Sequence, residues 1–141
     1  MKGVLAMKIP GVEKWRVGVF DDDRRTLVSI ANGRFTGSNF KYYRFKKDPI
    51  TAKHFHDFAE LFCVVEGRAM FLLVQVDNPE MSEVIEIIEG DVLLLPKRVA
   101  HIVRAQENTL IFAIAEREFI SRKVSCHTFD FSGYEHLIRG Y

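Results

Sequence analysis

The sequence has little that would hold a fold together covalently or place it in a membrane. Its 141 residues include two cysteines, Cys63 and Cys126, too few for a disulfide framework or a four-thiolate zinc site. Cys63 lies in the apolar run 61–65, where a reduced, buried thiol is expected. No apolar run approaches the roughly 20 residues of a membrane span, and the N-terminus lacks the apolar core of a signal peptide. We therefore expect a cytoplasmic protein that does not bind a membrane.

An excess of charge of either sign is also missing. Twenty basic and nineteen acidic side chains leave a formal net charge of +1, so no global field recruits nucleic acid. Internal repeats and low-complexity tracts are absent from the sequence. Hydrophobic residues make up 48% of the chain, an ordinary globular value, and its length fits one domain. We predict a single domain over residues 1–141.

Short apolar or alternating runs, typical of β-strands, recur along the chain, and helical periodicity is scarce. About ten such runs favour an all-β fold, a closed or nearly closed antiparallel barrel or sandwich. An Asn-Gly pair at 32–33 predicts a tight hairpin turn, and Lys-Lys-Asp-Pro at 46–49 interrupts strand pairing. The predicted strands are 13–20, 27–31, 40–45, 59–65, 69–76, 83–88, 92–95, 102–105 and 109–116.

The C-terminal segment from Arg117 onward is less regular, but several aromatic residues stand among its charges. So many aromatic side chains predict a segment that packs on the outside of the barrel or on a partner subunit. A short helix is expected near 134–138. The aromatic residues of this segment are Phe119, Phe129, Phe131, Tyr134 and Tyr141.

Four side chains with ligand chemistry stand out in the middle of the chain: His54, His56, Glu60 and His101. Residues two apart in a strand project from the same face, so one extended segment would direct the first three inward. His101 follows the turn at Pro96 and can join them from a neighbouring strand. Three imidazoles and a carboxylate on one inner wall suit a single divalent transition metal: iron, manganese, nickel, copper or zinc. An open coordination position would then accept water, oxygen or a substrate oxygen.

Two stretches, 54–67 and 90–101, resemble the two conserved motifs of the cupin superfamily, with 22 residues between them. The resemblance implies a double-stranded β-helix, or jelly-roll barrel, with a core at about 40–116 and a short irregular or helical C-terminal tail. It also implies that the three histidines and Glu60 are the metal ligands. The matching residues are His54, His56, Glu60 and Gly67 in the first motif, and Gly90, Pro96 and His101 in the second.

The chain departs from the cupin pattern at Arg98, where glycine is common, and at Ala105, where asparagine is common. Neither position is a ligand in the family. Arg98 must form its turn without the conformational freedom of glycine. Because Lys97 and Arg98 lie close to His101 in sequence, they either attract an anionic substrate to the barrel mouth or form a solvated turn.

Several other residues are weaker candidates. One of the side chains at 42–44 can reach the cavity, and Asp57 either steadies a metal-bound imidazole or faces solvent. His127 and His136 have no ligand partner at a meaningful spacing. Four phenylalanines either wall an apolar pocket around the metal or fill the barrel core: Phe55, Phe58, Phe62 and Phe71.

The resemblance does not choose a reaction, because a fold does not fix function. Similar cupins include dioxygenases, sugar isomerases and epimerases, decarboxylases, and proteins that only bind small molecules. The leading hypothesis is a metal-dependent dioxygenase or isomerase that acts on a small polar metabolite, with Glu60 as a ligand rather than a general base. Catalytic residues stay unassigned.

Two alternatives remain open. One is a non-catalytic barrel that binds or senses a sugar-like molecule, since residues 54–71 also resemble the sensing barrel of AraC-type regulators. The other is a metal-independent nucleotide-sugar keto-isomerase, in which His54 or His56 is an acid or base. Similar barrels dimerise through strand exchange or sheet packing, and the aromatic tail adds apolar surface, so we predict a homodimer.

Overall fold

The structure is a computed structural model that describes residues 3–47 and 50–139. About half of the chain is β-strand, and 5% is helix. The strands are β1 (Leu5–Ala6), β2 (Glu13–Arg16), β3 (Gly18–Asp21), β4 (Thr26–Ser29), β5 (Asn39–Arg44), β6 (Ile50–Phe55), β7 (Glu60–Glu66), β8 (Arg68–Gln75), β9 (Ser82–Ile88), β10 (Asp91–Leu95), β11 (Val99–Ala105), β12 (Leu110–Ala115) and β13 (His127–Thr128). The helices are α1 (Arg122–Ser125) and a 3-10 helix (Glu135–Leu137).

Two antiparallel sheets pack around the main core. The order of the six-stranded sheet is β1-β2-β10-β7-β12-β5, and that of the five-stranded sheet is β13-β6-β11-β8-β9. Strands β3 and β4 form a separate two-stranded hairpin. The prediction of an all-β jelly roll with a short, partly helical tail is confirmed.

Several strands are apolar without alternation because both faces of their sheet are covered. Residues 60–64 of β7 are all buried. The inner side of that strand faces the main core, where Phe62 packs against Phe71 with ring centroids 5.1 Å apart. Its outer side packs under the N-terminal segment, where Leu61 and Cys63 join a cluster with Trp15. A strand enclosed in this way reads as a continuous hydrophobic run.

The predicted strands 27–31 and 40–45, and those from residue 59 onward, agree with the observed strands within three residues at each end, whereas the run 13–20 and the predicted hairpin differ. The run 13–20 is two strands that break at Val17, whose amide donates to Gly90 O at 2.9 Å. The hairpin at Asn32-Gly33 is wrong, because β4 pairs with the preceding β3 and not with β5. The Asn-Gly pair instead lies in a local turn that Arg34 N closes onto Ala31 O.

The strand β6 was not predicted, and its backbone is irregular. Ala52 and Lys53 adopt φ angles of 80° and 64°, and the pairing with β11 shifts register after His101. Because most of its residues are exposed and its backbone is distorted, the strand lacks the alternation of buried and exposed residues by which a strand is predicted. Of the predicted break at 46–49, Asp48 and Pro49 lie outside the described residues.

The C-terminal segment packs on the outer face of the five-stranded sheet of its own chain. Phe131 and Ile138 are buried against Leu72 and Ile102 of that sheet. Of the two predicted locations for the aromatic tail, the outside of the barrel is therefore the observed one. The 3-10 helix lies where a short helix was expected, whereas α1 was not anticipated, and Tyr141 lies outside the described residues.

Both cysteines are free thiols, and Cys63 is buried as predicted. Within the ranges 3–47 and 50–139, no helix has the length and apolar character to cross a membrane.

Candidate functional site

The four predicted ligands come together where the chain crosses from one sheet to the other. Strand β6 ends at Phe55 in the five-stranded sheet, and β7 begins at Glu60 in the six-stranded sheet. The expectation that residues 54–60 form one extended strand is therefore wrong, although its residues do converge. His101 of β11 is the Cα partner of His54 in the antiparallel pair, which places the two imidazoles side by side.

The four side chains form one compact cluster. The ring centroid of His54 lies 4.6 Å from that of His56 and 4.7 Å from that of His101. Nε2 of His56 is 3.0 Å from Oε1 of Glu60. One ligand atom each from His56, Glu60 and His101 lie within 4.8 Å of one another. The predicted residues are thus neighbours, and their role as metal ligands stays a prediction.

The members of the cluster differ in how firmly they are held. His56 is fixed at both nitrogens, because its Nδ1 donates to Ser125 O at 2.5 Å while Nε2 faces Glu60. His101 Nδ1 lies 3.4 Å from Val99 O. His54 is half-buried, and among the described residues no polar group bonds to its ring. Its imidazole therefore has free capacity toward the cavity.

Burial and neighbouring charges set the protonation of the cluster. Burial, with a smaller effect of the other two histidines, lowers the pKa of His54 to about 3. Burial likewise lowers the pKa of His101 to about 4. Both imidazoles are therefore neutral at neutral pH and keep a lone pair for a proton or a cation.

His56 and Glu60 behave in the opposite way because they form a pair. Burial alone would raise the pKa of Glu60, but the hydrogen bond with His56 and nearby positive charge lower it to about 2. Burial would lower the pKa of His56, but the contacts with Glu60 raise it above the ordinary value. Lys41 Nζ also lies 3.4 Å from the second carboxylate oxygen of Glu60. The carboxylate is thus held ionised between Nε2 of His56 and Nζ of Lys41.

The cluster lies in the wall of a cavity of about 540 Å³. Of the four phenylalanines proposed as a pocket wall, Phe58 and Phe62 line it. Phe71 lies in the main core, as the core interpretation expects, whereas Phe55 is only partly buried against the C-terminal segment and neither lines the cavity nor fills the barrel.

On β5, Lys41 and Tyr43 line the cavity, whereas Tyr42 is 76% exposed and does not line it. Burial, and then the charge of Glu60, raise the pKa of the Tyr43 hydroxyl. Arg44 also borders the cavity, and it pairs with Glu66 at 3.1 Å.

Of the two interpretations kept for Lys97, Arg98 and Asp57, the structure fits the solvated one. Arg98 adopts φ 62°, and its guanidinium binds Asp77 at 2.8 Å. Its amide donates to His56 O at 2.8 Å, but the residue does not line the cavity. Lys97 does not line the cavity either. Asp57 contacts Nε2 of His127 at 2.6 Å and Arg98 at 3.5 Å, so it steadies none of the predicted ligands. The solvated-turn interpretation therefore fits this part of the chain.

Sequence reasoning missed the contributions of the C-terminal segment. Phe119, Arg122 and Cys126 line the cavity, and Ser125 holds His56 through its backbone carbonyl. These residues have no local motif, and only the fold brings them to the site. Lys41 was within reach of the sequence, since alternation along β5 places it on the same side as Tyr43.

Solved structures of sugar-modifying enzymes are similar to this chain in fold. The dTDP-4-dehydrorhamnose 3,5-epimerase from Elizabethkingia anophelis has a TM-score of 0.73 at 16% identity, over 91% of this chain and 80% of that one. A point mutant of the 3,4-ketoisomerase QdtA from Thermoanaerobacterium thermosaccharolyticum, in complex with TDP-4-keto-6-deoxyglucose, has a TM-score of 0.72 at 14% identity, over 94% and 96%. The TDP-fucose-3,4-ketoisomerase WlaRA from Campylobacter jejuni has a TM-score of 0.71 at 12% identity, over 92% and 97%.

At these identities the likeness shows the fold. A comparison with curated protein sequences returns no match. The family model named Cupin matches residues 28–122, two thirds of the chain, and includes all four clustered side chains. The chain belongs to the cupin family.

Proposed function

We propose that the protein is an isomerase or epimerase that moves a proton beside the carbonyl group of a small anionic metabolite. The observation that carries this proposal is the imidazole of His54, which borders the cavity and has no polar partner within the described chain. The two imidazoles against which it packs are held by backbone carbonyls. The similarity in fold to sugar epimerases and ketoisomerases supports the same reaction class.

The chemistry needs one base and one hydrogen-bond donor. A base removes a proton from the carbon next to the carbonyl, and the electron pair of the C–H bond forms an enolate. Return of a proton to the opposite face of the same carbon gives the epimer. For the isomer, the hydroxyl group on that carbon passes its proton to the former carbonyl oxygen, a proton is returned to the former carbonyl carbon, and the carbonyl group thereby changes place. We assign the base to His54, whose pKa, low because of burial, should rise when an anionic substrate binds beside it. We assign the donor to Tyr43, whose raised pKa keeps its hydroxyl protonated and able to stabilise the enolate oxygen.

The charges around the cavity favour an anionic substrate. Four cationic side chains line it, and the single carboxylate among its described lining residues, Glu60, already pairs with His56 and Lys41. Arg122 has no ion pair to any described residue, so its guanidinium is available to a ligand. The nucleotide-linked keto sugar bound by the similar ketoisomerase carries such charge, and we take this class as the proposed substrate.

The proposal is tested by isotope exchange with TDP-4-keto-6-deoxyglucose in deuterated water. NMR should show deuterium entering the carbons beside the keto group, because the enolate is reprotonated from solvent. His54→Gln should abolish the exchange, and His136→Gln, in the exposed tail, should retain it. A rise in melting temperature without exchange would instead indicate the non-catalytic binding barrel. If the compound caused no exchange and no thermal stabilisation, nucleotide sugars would be the wrong substrate class.

A divalent metal bound by His54, His56, Glu60 and His101 is the second candidate. It is favoured by the convergence of donor atoms from His56, Glu60 and His101 and by the imidazole of His54 packed beside the other two. Two donors about 2.1 Å from one cation lie at most about 4.2 Å apart, so atoms within 4.8 Å of one another need little movement. The chemistry that such a cation supplies is polarisation of a substrate oxygen. In this version His54 is a ligand instead of a base.

Chelation distinguishes the two versions of the site. Exchange that persists after dialysis against a chelator supports the acid–base role, whereas exchange that is lost and restored by added Mn²⁺ or Zn²⁺ supports the metal. The dioxygenase hypothesis uses the same four donors. It requires oxygen consumption with a diol or thiol substrate, which an oxygen electrode measures directly.

We propose that the chain is one domain that forms a homodimer through the hairpin β3–β4. Val19 opposes Val28, and Phe20 opposes Leu27, and all four side chains are 40–64% exposed. An isolated two-stranded hairpin is at best marginally stable in water, so an apolar hairpin of this kind needs a surface to cover it. Phe40 and Tyr42 on the edge strand β5, both more than 60% exposed, offer that surface in a second copy. The cytoplasmic location also stays a prediction.

A further inference from the structure

We infer that Cys126 adds a thiolate to the histidine cluster and, together with His54 and His56, binds a thiophilic metal cation such as Zn²⁺. One ligand atom from each of these three residues lies within 4.8 Å of the other two. This ligand set is separate from the set of His56, Glu60 and His101, with which it shares one imidazole. The inference rests on the metal-binding version of the proposed function.

The distances suit a soft cation. Zinc binds imidazole nitrogen at about 2.0 Å and thiolate sulfur at about 2.3 Å, so a nitrogen and a sulfur on one ion stand up to about 4.3 Å apart. The observed donors need only small side-chain rotations to reach that separation. Cys126 also lines the cavity and is half-buried, so a cation can arrive from solvent.

The backbone on both sides of Cys126 is tied to the strand that carries the histidines. On one side, His127 and Thr128 of β13 pair with Phe55 and His54 of β6. On the other side, Ser125 O accepts the hydrogen bond from His56 Nδ1. The amide of Cys126 donates to Arg122 O at 3.1 Å, which ends α1. The thiol is therefore positioned by the fold beside the two imidazoles.

The shared imidazole limits the site to one cation per chain. Because Nδ1 of His56 donates its proton to Ser125 O, a metal can bind this ring only at Nε2, where it would replace the contact with Glu60. The donors of the inner set are nitrogen and carboxylate oxygen, whereas the set with Cys126 offers two nitrogens and one sulfur. Thiolate ligands select soft cations such as Zn²⁺ and Cu⁺, so the identity of the cation decides whether sulfur is bound. Binding releases the thiol proton to solvent.

Cys63 provides a matched control. It is buried on the outer side of β7 in the cluster that contains Trp15 and Val92, and it does not line the cavity. A thiolate signal from the site must therefore come from Cys126, and replacing Cys63 should leave that signal unchanged.

Cobalt absorption tests the inference on the full-length, metal-free protein. Titration with Co²⁺ should produce visible ligand-field bands and a near-ultraviolet thiolate-to-cobalt charge-transfer band, which saturate together at one equivalent. The charge-transfer band should persist in Cys63→Ser and disappear in Cys126→Ser and Cys126→Ala, while both Cys126 variants keep ligand-field bands from the histidines. Added Zn²⁺ should displace the cobalt and abolish both sets of bands.

The outcomes separate this inference from the function on which it rests. Ligand-field bands without a charge-transfer band in the wild-type protein would overturn the role of Cys126 and leave the histidine–glutamate metal site standing. The absence of all cobalt bands would overturn both. A charge-transfer band that survives in both Cys126 variants would also refute the assignment. The wild-type spectrum decides the question of thiolate ligation even if a variant fails to fold.

Discussion

Nδ1 of His56 donates a hydrogen bond to the backbone carbonyl of Ser125, 69 residues further along the chain. The carbonyl is held in turn by α1, where Ser125 N donates to Ser121 O at 2.7 Å and the side chain of Ser121 caps the helix. The bond fixes the tautomer of the central imidazole and leaves Nε2 for Glu60 or a cation. The barrel alone therefore does not complete the site, and the C-terminal segment is part of it.

Replacing His101 with alanine should weaken metal binding without loss of the fold. Loss of an outer partner alone typically lowers metal affinity about 10- to 100-fold, so removal of a direct ligand should cost at least about tenfold. Calorimetric titration of the metal-free protein with Zn²⁺ measures the change. His136→Ala is the control, because His136 lies in the tail and takes no part in the cluster. Unchanged affinity in His101→Ala would contradict a metal role for the cluster.

The docking of the C-terminal segment can be tested with two adjacent residues. Ile138 is fully buried against the outer face of the five-stranded sheet, whereas Leu137 is 39% exposed. Ile138→Ala should lower the free energy of unfolding by about 2–5 kcal/mol, and Leu137→Ala by about 0.5 kcal/mol. Urea denaturation followed by circular dichroism measures both. Equal effects would mean that the segment is not anchored through Ile138.

The sequence predicts most of the barrel because local patterns carry the information. The runs that became β7 and β8 are long, apolar and separated by a glycine turn, and β-structure is the simplest arrangement for them. The Asn-Gly turn shows the limit of such reasoning. A turn signal fixes the local backbone, but which strand pairs with which depends on long-range packing, and here β4 pairs backward with β3.

The candidate site divides in the same way. His54, His56, Glu60 and His101 belong to short motifs with fixed spacing, and the structure brings them together. The expectation that His54, His56 and Glu60 project from one face of a single extended segment was wrong in detail, since the chain changes sheets after Phe55. The contribution of Ser125 had no sequence signal at all, because any residue provides a backbone carbonyl. Tertiary structure alone brings it to the imidazole.

The turn at Gly67 should tolerate a side chain less well than the turn at Gly33. Both glycines have positive φ, so alanine costs about 1–2 kcal/mol of backbone strain at either position. At Gly67 an added Cβ would also meet Thr109 Oγ1 at 2.5 Å, whereas at Gly33 it would meet nothing within 4 Å. Gly67→Ala should therefore cost about 1–3 kcal/mol more than Gly33→Ala in chemical denaturation. Equal costs would show that the Thr109 contact relaxes freely.

The thiols of Cys63 and Cys126 should differ in reactivity, and the difference should persist up to about pH 9. Burial, and then the charge of Asp91, raise the pKa of Cys63 to about 11, and the side chain is 3% exposed. Because the thiolate is the reactive form, Cys63 should stay unlabelled by iodoacetamide up to about pH 9 and gain reactivity only nearer its pKa. Cys126 should be labelled first, as measured by mass spectrometry of the folded protein. Labelling in denaturant, where both react, is the control, and equal labelling of the folded chain would contradict the structure.

The hairpin β3–β4 should decide the oligomeric state. Sedimentation at micromolar concentration should give a dimer for the wild-type chain, because its four exposed apolar side chains need a partner surface. The double variant Phe20→Ser with Val28→Ser removes one apolar residue from each face of the hairpin and should shift the chain to the monomer. Ile88→Ser, which alters an exposed apolar residue at the end of β9, should leave the dimer intact. A wild-type monomer would refute the dimer, and a dimer that survives the double variant would place its interface elsewhere.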